Sequence, residues 1–360
     1  MTELIFFPDY SGGNPYQKLL YQNAYFGDSL VIYSSTIENA IARAESGIQC
    51  IFHQHWINVY FRDCKTIDDS ISIVVDLKYR LDKFKHLGGK LIWTVHNKIS
   101  HDSRFPLADE LLRQYLSVAS DIVHLHESSH FEKLANLCLD PSRVIICPHP
   151  SYIGHYGFFG IEQRITRLNA KNGCKSAIFI GSIRANKDPL AISKAVNLLI
   201  AKGFNVTIAG MPENNEIKTQ LIQSLVTSDA LNLILRRLEE SEIHELCLCN
   251  NFGLVSYAEI LTSGTIELYN SYGMIVLDCA QLIGVNQSLN ANQSSLDEVL
   301  FDGSLSKAVE NISIYNYMQS MAKTSISFPS QSVMRRLYVD EARVPHTVKK
   351  NVTHALDKVL

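Results

Sequence analysis

Two cations and two carboxylates in the second half of the chain have the types and spacing to surround a ligand that carries a diphosphate. Arg184 and Lys187 stand three residues apart between an apolar run, Ala177 to Ile180, and a helical pattern from Leu190 to Ala201. Glu259 and Glu267 have seven residues between them and bracket the turn Thr262-Ser263-Gly264-Thr265. A leaving nucleoside diphosphate concentrates negative charge on two phosphates; arginine meets it with paired N–H donors and lysine with a point charge. The spacing predicts a helix from about Ser263 to Tyr272, capped by Gly273, between strands Phe252 to Ser256 and Met274 to Leu277. At that helix start the free N–H groups of Ser263, Gly264 and Thr265 point outward with the positive end of the dipole, and Gly264 lets a ligand approach the backbone. One carboxylate could then grip a sugar and the other a ribose. The plainer alternatives stay open: Glu267 as a first-turn glutamate favoured by the dipole, Glu259 as a solvated loop charge, and Arg184 with Lys187 as a solvated basic loop.

The first half supplies polar groups at strand ends. Strands are expected at Leu4 to Phe7, Leu30 to Ser34, Cys50 to His53, Lys90 to Val95, Asp121 to His126 and Val144 to Cys147, with helices between them. Gly12 and Gly13, in the turn after the first strand, could bring backbone N–H groups near a phosphate or an acceptor hydroxyl; a tight turn is the alternative. His53, His55 and Trp56 sit at the carboxyl end of a strand, the ligand side of a parallel sheet. His96 and Asn97 follow the next strand, and His124 and His126 share one face by period two. With His130 they form a His-x-His-x3-His set, but no carboxylate ligand stands convincingly nearby, and no metal is expected there.

The totals bound the rest. A chain of 360 residues with 46% hydrophobic and 19% charged residues is an ordinary globular composition, long enough for two cores. A net charge of −3 gives no global attraction to nucleic acid. Eight scattered cysteines show neither zinc spacing nor a disulfide framework. No apolar run reaches membrane-spanning length and the start lacks a signal-peptide pattern, so a cytoplasmic protein is expected. Residues 71–87 form a helical pattern with Lys78, Arg80, Lys83 and Lys85 off its apolar stripe; that basic face is read as solvated, with peripheral contact to the inner membrane face as the alternative. Walker, G-x-G-x-x-G, G-x-S-x-G and H-E-x-x-H motifs are absent, as is an isolated Asp-x-Asp for a nucleotide-bound metal.

Several segments resemble one family. Glu259-Ile-Leu-Thr-Ser-Gly264 with its E-x7-E spacing, Ser271-Tyr-Gly-Met-Ile-Val-Leu277, and Gly181-x-Ile-Arg184-x-x-Lys187 look like the donor site of GT-B glycosyltransferases, particularly the retaining clan around glycosyltransferase family four. Asn14-Pro15-Tyr16 and Thr94-Val-His96-Asn97, followed by His101-Asp102, resemble that clan's acceptor side. The resemblance implies an α/β GT-B architecture, two Rossmann-like doubly wound domains facing a central cleft. Residues 1–155 would form the acceptor domain, 156–332 the donor domain, and 333–360 a helix returning to the first.

The implied activity is transfer of a hexose from a nucleotide diphosphate sugar, with GDP-mannose the guessed donor and a UDP-sugar the other, to a hydroxyl of a surface glycan or lipid-linked oligosaccharide. No cofactor or metal is expected. By that resemblance Glu259 binds sugar hydroxyls, Glu267 the ribose, Arg184 and Lys187 the diphosphate, and His96 the sugar or acceptor side. Asn14, Tyr16, Asn97 and His126 are placed beside the acceptor. Retention is the favoured outcome; an inverting enzyme would need a base, with Asp9 and Asp102 as candidates. The alternatives are a nucleotide-sugar epimerase and a catalytically silent GT-B-like subunit that binds glycan or a partner.

Overall fold

The computed structural model describes residues 2–22, 30–100, 104–147, 149–152, 154–159, 163, 175–257 and 261–289. The chain divides into two compact units that part between Pro150 and Ser151. The returning helix expected at 333–360 lies outside the described residues.

The first unit runs β1 (Thr2–Phe7), α1 (Pro15–Gln22), β2 (Leu30–Ser34), α2 (Ile37–Glu45), β3 (Gln49–Gln54), α3 (Ile67–His86), β4 (Lys90–Thr94), α4 (Pro106–Ala119), β5 (Ile122–Leu125), α5 (Ser129–Lys133) and β6 (Val144–Ile146). Its strands are all parallel, in the order β2-β1-β3-β4-β5-β6. Strands covered on both faces carry continuous apolar runs, as in Leu4, Ile5 and Phe6 or Leu91, Ile92 and Trp93, all buried. The strand order reverses at β1, with β2 on one side and β3 on the other, and ligands of such sheets bind outside the carboxyl ends of strands at that point.

Helix α3 begins at Ile67, four residues ahead of the expected start. Thr66 and Asp69 form a capping box there, each side chain taking the other's backbone N–H. Its buried stripe is Val74, Leu77, Leu81 and Phe84, while Val75 is 62% exposed. The basic face is tied to acids of its own unit rather than merely solvated. Arg80 pairs with Glu38 and, at 2.5 Å, with Asp76; Lys83 lies 2.8 Å from Glu45 and Lys85 3.6 Å from Asp121. Lys78 stands over the Tyr115 ring.

The second unit contains β7 (Ser176–Ile180), α6 (Pro189–Ala201), β8 (Asn205–Ala209), α7 (Asn215–Ser224), β9 (Leu231–Ile234), α8 (Glu240–Leu248), β10 (Phe252–Val255), α9 (Gly264–Ser271), β11 (Ile275–Asp278) and α10 (Cys279–Leu289). Its parallel order is β11-β10-β7-β8-β9, reversing at β7. Phe179, Ile192, Val196, Leu199, Phe204, Ile208 and Leu254 fill its core. Both units are therefore the doubly wound α/β sheets that were expected. No helix among the described residues is long and apolar enough to cross a membrane.

Candidate functional site

In the second unit the basic loop and the helix start converge on the carboxyl end of β7. Gly181 has φ +133°, and a Cβ placed there would lie 3.0 Å from Lys187 Nζ and 3.6 Å from Thr265 Oγ1. A Cβ on Gly210, at the end of β8, would collide with the Gly181 carbonyl, so the strand ends approach as only glycine permits. The Lys187 ammonium stands 5.6 Å from the ring centres of both Phe179 and Tyr257. Burial, and secondarily the charge of Arg184, lowers its pKa to about 8. Arg184 is exposed, and among the described residues neither cation forms an ion pair. Asp188, also at positive φ, caps α6 by accepting the Ala191 N–H at 3.0 Å.

Helix α9 is aimed by its packing. Ser263 caps it, its Oγ accepting the Ile266 N–H at 3.2 Å and lying 2.8 Å from the Tyr257 hydroxyl. Gly264 and Thr265, in the first turn, have amides with no intrahelical acceptor. Gly273 closes the other end at φ 63°, with Met274 N–H on the Tyr269 carbonyl and Gly273 N–H on that of Asn270, both 3.0 Å. The Tyr269 ring lies where a side chain on Gly253 would be, and its hydroxyl accepts the Ile180 N–H at 2.8 Å where pairing of β7 with β10 has ended. Gly264 has a packing reason beyond ligand approach, because a Cβ there would stand 2.6 Å from the Tyr152 hydroxyl. Thr262 and Glu267 are half-buried beside this turn. Glu259 lies outside the described residues.

In the first unit the strand ends assemble a group of imidazoles. His53 and His55, Thr94 and His96, and His124 and His126 are i, i+2 pairs at the carboxyl ends of the adjacent strands β3, β4 and β5, with Thr94 paired to His124 and His53 paired to Ile92. His53 Nε2 is 2.7 Å from Thr94 Oγ1, which is 2.9 Å from His124 Nδ1. His55 Nδ1 is 3.1 Å from His96 Nε2. The Tyr21 hydroxyl joins the two rows, 2.5 Å from His53 Nδ1 and 2.7 Å from His55 Nε2. The Cys147 carbonyl receives both His124 Nε2 at 2.9 Å and His126 Nδ1 at 3.1 Å. Burial holds the imidazoles of His53, His55, His96 and His126 well below the usual histidine range, and those of His124 and His149 at about 4. All six rings are consequently neutral at pH 7.

Tyr16 packs against His55, His96, His126 and His149, with ring centres between 4.9 and 5.8 Å away, and Trp56 stacks on His96 at 4.0 Å. The structure thus brings Tyr16, His96 and His126 together. Asn14 serves the backbone instead, its Oδ1 accepting the Tyr16 N–H at 3.0 Å. Asp9 is exposed and its Oδ1 accepts the Ser11 N–H at 2.8 Å, while Gly13 gives its N–H to the Tyr10 carbonyl; Gly12 has open space where a side chain would be. Asn97 is held by its carbonyl, which accepts from Arg113 Nη1 at 2.7 Å. Arg113 forms a buried pair with Asp109 at 2.7 Å, and Ser100 donates to the same carboxylate. His130 is fully buried, with its Nε2 3.7 Å from Glu127. Among the described residues no three His, Cys, Asp or Glu side chains are grouped to hold a metal ion. Asp102 lies outside the described residues.

Sequence reasoning did not find Tyr21, Thr94 or the Cys147 carbonyl as members of this network, nor Asp109 and Arg113 behind Asn97. A signal existed for the first group: His-Gln-His, Thr-Val-His and His-Leu-His end three successive strands at the same period of two.

No family model and no curated protein matches the chain in sequence. Solved structures do match it in fold. The N-terminal domain of Candida albicans trehalose-6-phosphate phosphatase has a TM-score of 0.56 at 11% identity, over 95% of this chain and 97% of that one. Anabaena HepE in complex with UDP and glucose has 0.54 at 8%, over 90% and 100%. A UDP-forming α,α-trehalose-phosphate synthase from Burkholderia vietnamiensis has 0.53 at 9%, over 90% and 78%. A UDP-N-acetylglucosamine 2-epimerase assignment from Listeria monocytogenes accompanies a fourth, at 0.50 and 12%, over 83% and 90%. At such identities the likeness shows the fold alone, and that fold is the GT-B class with two Rossmann-like domains.

Proposed function

We propose that this chain is a glycosyltransferase that takes a hexose from a nucleotide diphosphate sugar. The observation that carries the reading is in the second unit: two cations without an acidic partner among the described residues share a sheet switch point with the free amides of a helix N-terminus. The diphosphate binds Arg184, Lys187 and the Gly264–Thr265 turn, Glu267 holds the ribose, and Glu259 the sugar hydroxyls. The histidines of the first unit face the hexose or the acceptor. As the diphosphate leaves, the guanidinium and ammonium stabilise its growing charge, a task the resemblance assigns to them without metal.

The nucleotide is more strongly supported as uridine than as the guanosine first guessed, because HepE is complexed with UDP and the trehalose-phosphate synthase is UDP-forming. A hydroxyl of a surface glycan or lipid-linked oligosaccharide accepts the hexose. Peripheral membrane contact through residues 71–87 is disfavoured, since Arg80, Lys83 and Lys85 are already paired with acids. Likeness to the Listeria structure supports epimerisation as a second reading.

Incubating the purified protein with UDP-sugars and GDP-mannose separates these readings. A transferase releases nucleoside diphosphate in proportion to acceptor, whereas an epimerase converts one sugar nucleotide into another without an acceptor. Turnover is expected to survive excess chelator, and loss restored by manganese or magnesium contradicts metal independence. The product anomeric centre, read by NMR, is expected to retain the donor configuration; inversion with an inactive Asp9→Asn or Asp102→Asn variant overturns that.

A further inference from the structure

The hydrogen-bond network of the first unit has a direction, set at one end by a group that can only accept. The Cys147 carbonyl has no proton, so His124 Nε2, 2.9 Å away, must donate to it. A neutral imidazole carries one N–H, which leaves His124 Nδ1 as an acceptor for the Thr94 hydroxyl at 2.9 Å. That hydroxyl has spent its only proton, and its oxygen accepts from His53 Nε2 at 2.7 Å. His53 Nδ1 must then accept from the Tyr21 hydroxyl at 2.5 Å, whose oxygen in turn accepts from His55 Nε2 at 2.7 Å. His55 Nδ1 is left to accept from His96 Nε2 at 3.1 Å. Every ring nitrogen of His53, His55 and His124 is used, and each step permits one proton placement.

We propose that His124, Thr94, His53, Tyr21 and His55 are positioning residues that hold His96 as its Nε2–H tautomer, so that Nδ1 is its acceptor. The same carbonyl fixes His126 independently. Its Nδ1 donates to Cys147, and its Nε2 is a buried acceptor with no hydrogen-bond partner among the described residues. Two rings with centres 5.6 Å apart are thereby set as neutral acceptors. Neutral acceptors recognise donors, so the group they receive is a hydroxyl and not a carboxylate or phosphate. For the reaction, this rests on the proposed transfer of a hexose to a hydroxyl; the tautomers do not depend on it.

Long-range 15N–1H NMR of histidine-labelled protein reads the tautomers directly, with His96→Gln used for assignment. The expected wild-type spectrum shows His96 and His124 as Nε2–H and His126 as Nδ1–H. Thr94→Val keeps the side-chain shape but removes the link. It is expected to turn His96 into a mixture of tautomers and to lower kcat at least about tenfold while donor KM stays within about twofold; Thr94→Ser restores both. His96 found as Nδ1–H in the wild type, or unchanged in folded Thr94→Val, overturns the proposal. Should Thr94→Val fail to fold, the wild-type spectrum alone decides. An Nε2–H His96 in a protein that turns over no nucleotide sugar supports the relay and overturns the proposed function.

Discussion

The two units end their parallel sheets with opposite chemistry. In the first, six imidazoles converge and burial keeps them neutral, each row held by hydrogen bonds within the unit. In the second, Arg184 and Lys187 keep charge at a helix start, and no acid among the described residues neutralises them. Burying a charge costs free energy unless something compensates it, and the unfavourable surroundings of Lys187 are relieved when an anion arrives. A neutral, pre-oriented polar surface instead offers selective contacts to hydroxyls. The two sheet ends are therefore suited to different groups, the second to an anion such as a diphosphate and the first to uncharged hydroxyl donors.

The largest effect expected from breaking this contrast is structural. Arg113→Ala would leave Asp109 buried and unpaired behind the Asn97–Ser100 loop, costing about 3–5 kcal/mol in denaturant unfolding; a loss under about 1 kcal/mol contradicts the role given to this pair. Next, Arg184→Ala is expected to lower kcat/KM by about 2–4 kcal/mol of barrier with the unfolding midpoint unchanged, since the side chain is exposed and has no ion-pair partner among the described residues. Turnover within about threefold of wild type removes it from the phosphate site.

Acid probes the first unit. The six imidazoles of His53, His55, His96, His124, His126 and His149 have folded pKa values below the unfolded value of about 6.5, so as pH falls through that value the unfolded chain takes up protons that the folded one refuses. Stability is full above about pH 7 and falls toward pH 4, at up to roughly 1.4 kcal/mol per pH unit per histidine. A flat unfolding free energy across that range contradicts their burial as neutral rings. Base probes the second unit, with the smallest effect. Because Lys187 in the free protein loses its proton near pH 8, affinity for UDP is expected to fall by up to about tenfold per unit above it, with proton uptake on binding. Lys187→Arg should abolish that limb, and a pH-independent affinity in the wild type contradicts it.

The basic loop and the helix start of the second unit were legible because their signals are local. Arg184 and Lys187 lie on one strand-to-helix loop, and Ser263, Gly264 and Gly273 mark one helix by its cap, first turn and close. The imidazole network was harder to see because its members come from α1, three strands and the residue after β6, which only the order β1-β3-β4-β5-β6 brings side by side. His53, His55, His96 and His126 were each placed at strand ends, yet nothing in one segment announces that Tyr21 bridges two others. Tyr152 beneath Gly264 was missed for the same reason, being 112 residues away in the chain. Helix α2 is tied to α3 by the Arg80–Glu38 and Lys83–Glu45 pairs, contacts that a solvated reading of the basic face had no means to anticipate.

The division of labour is tested most directly by titrating UDP into the wild-type protein and into Arg184→Ala/Lys187→Ala by calorimetry at pH 7. The account predicts saturable binding by the wild type and a loss of at least about hundredfold in the double variant, whose unfolding midpoint stays the same. Equal affinity in the two proteins, or no binding of UDP or GDP by the wild type, would contradict it.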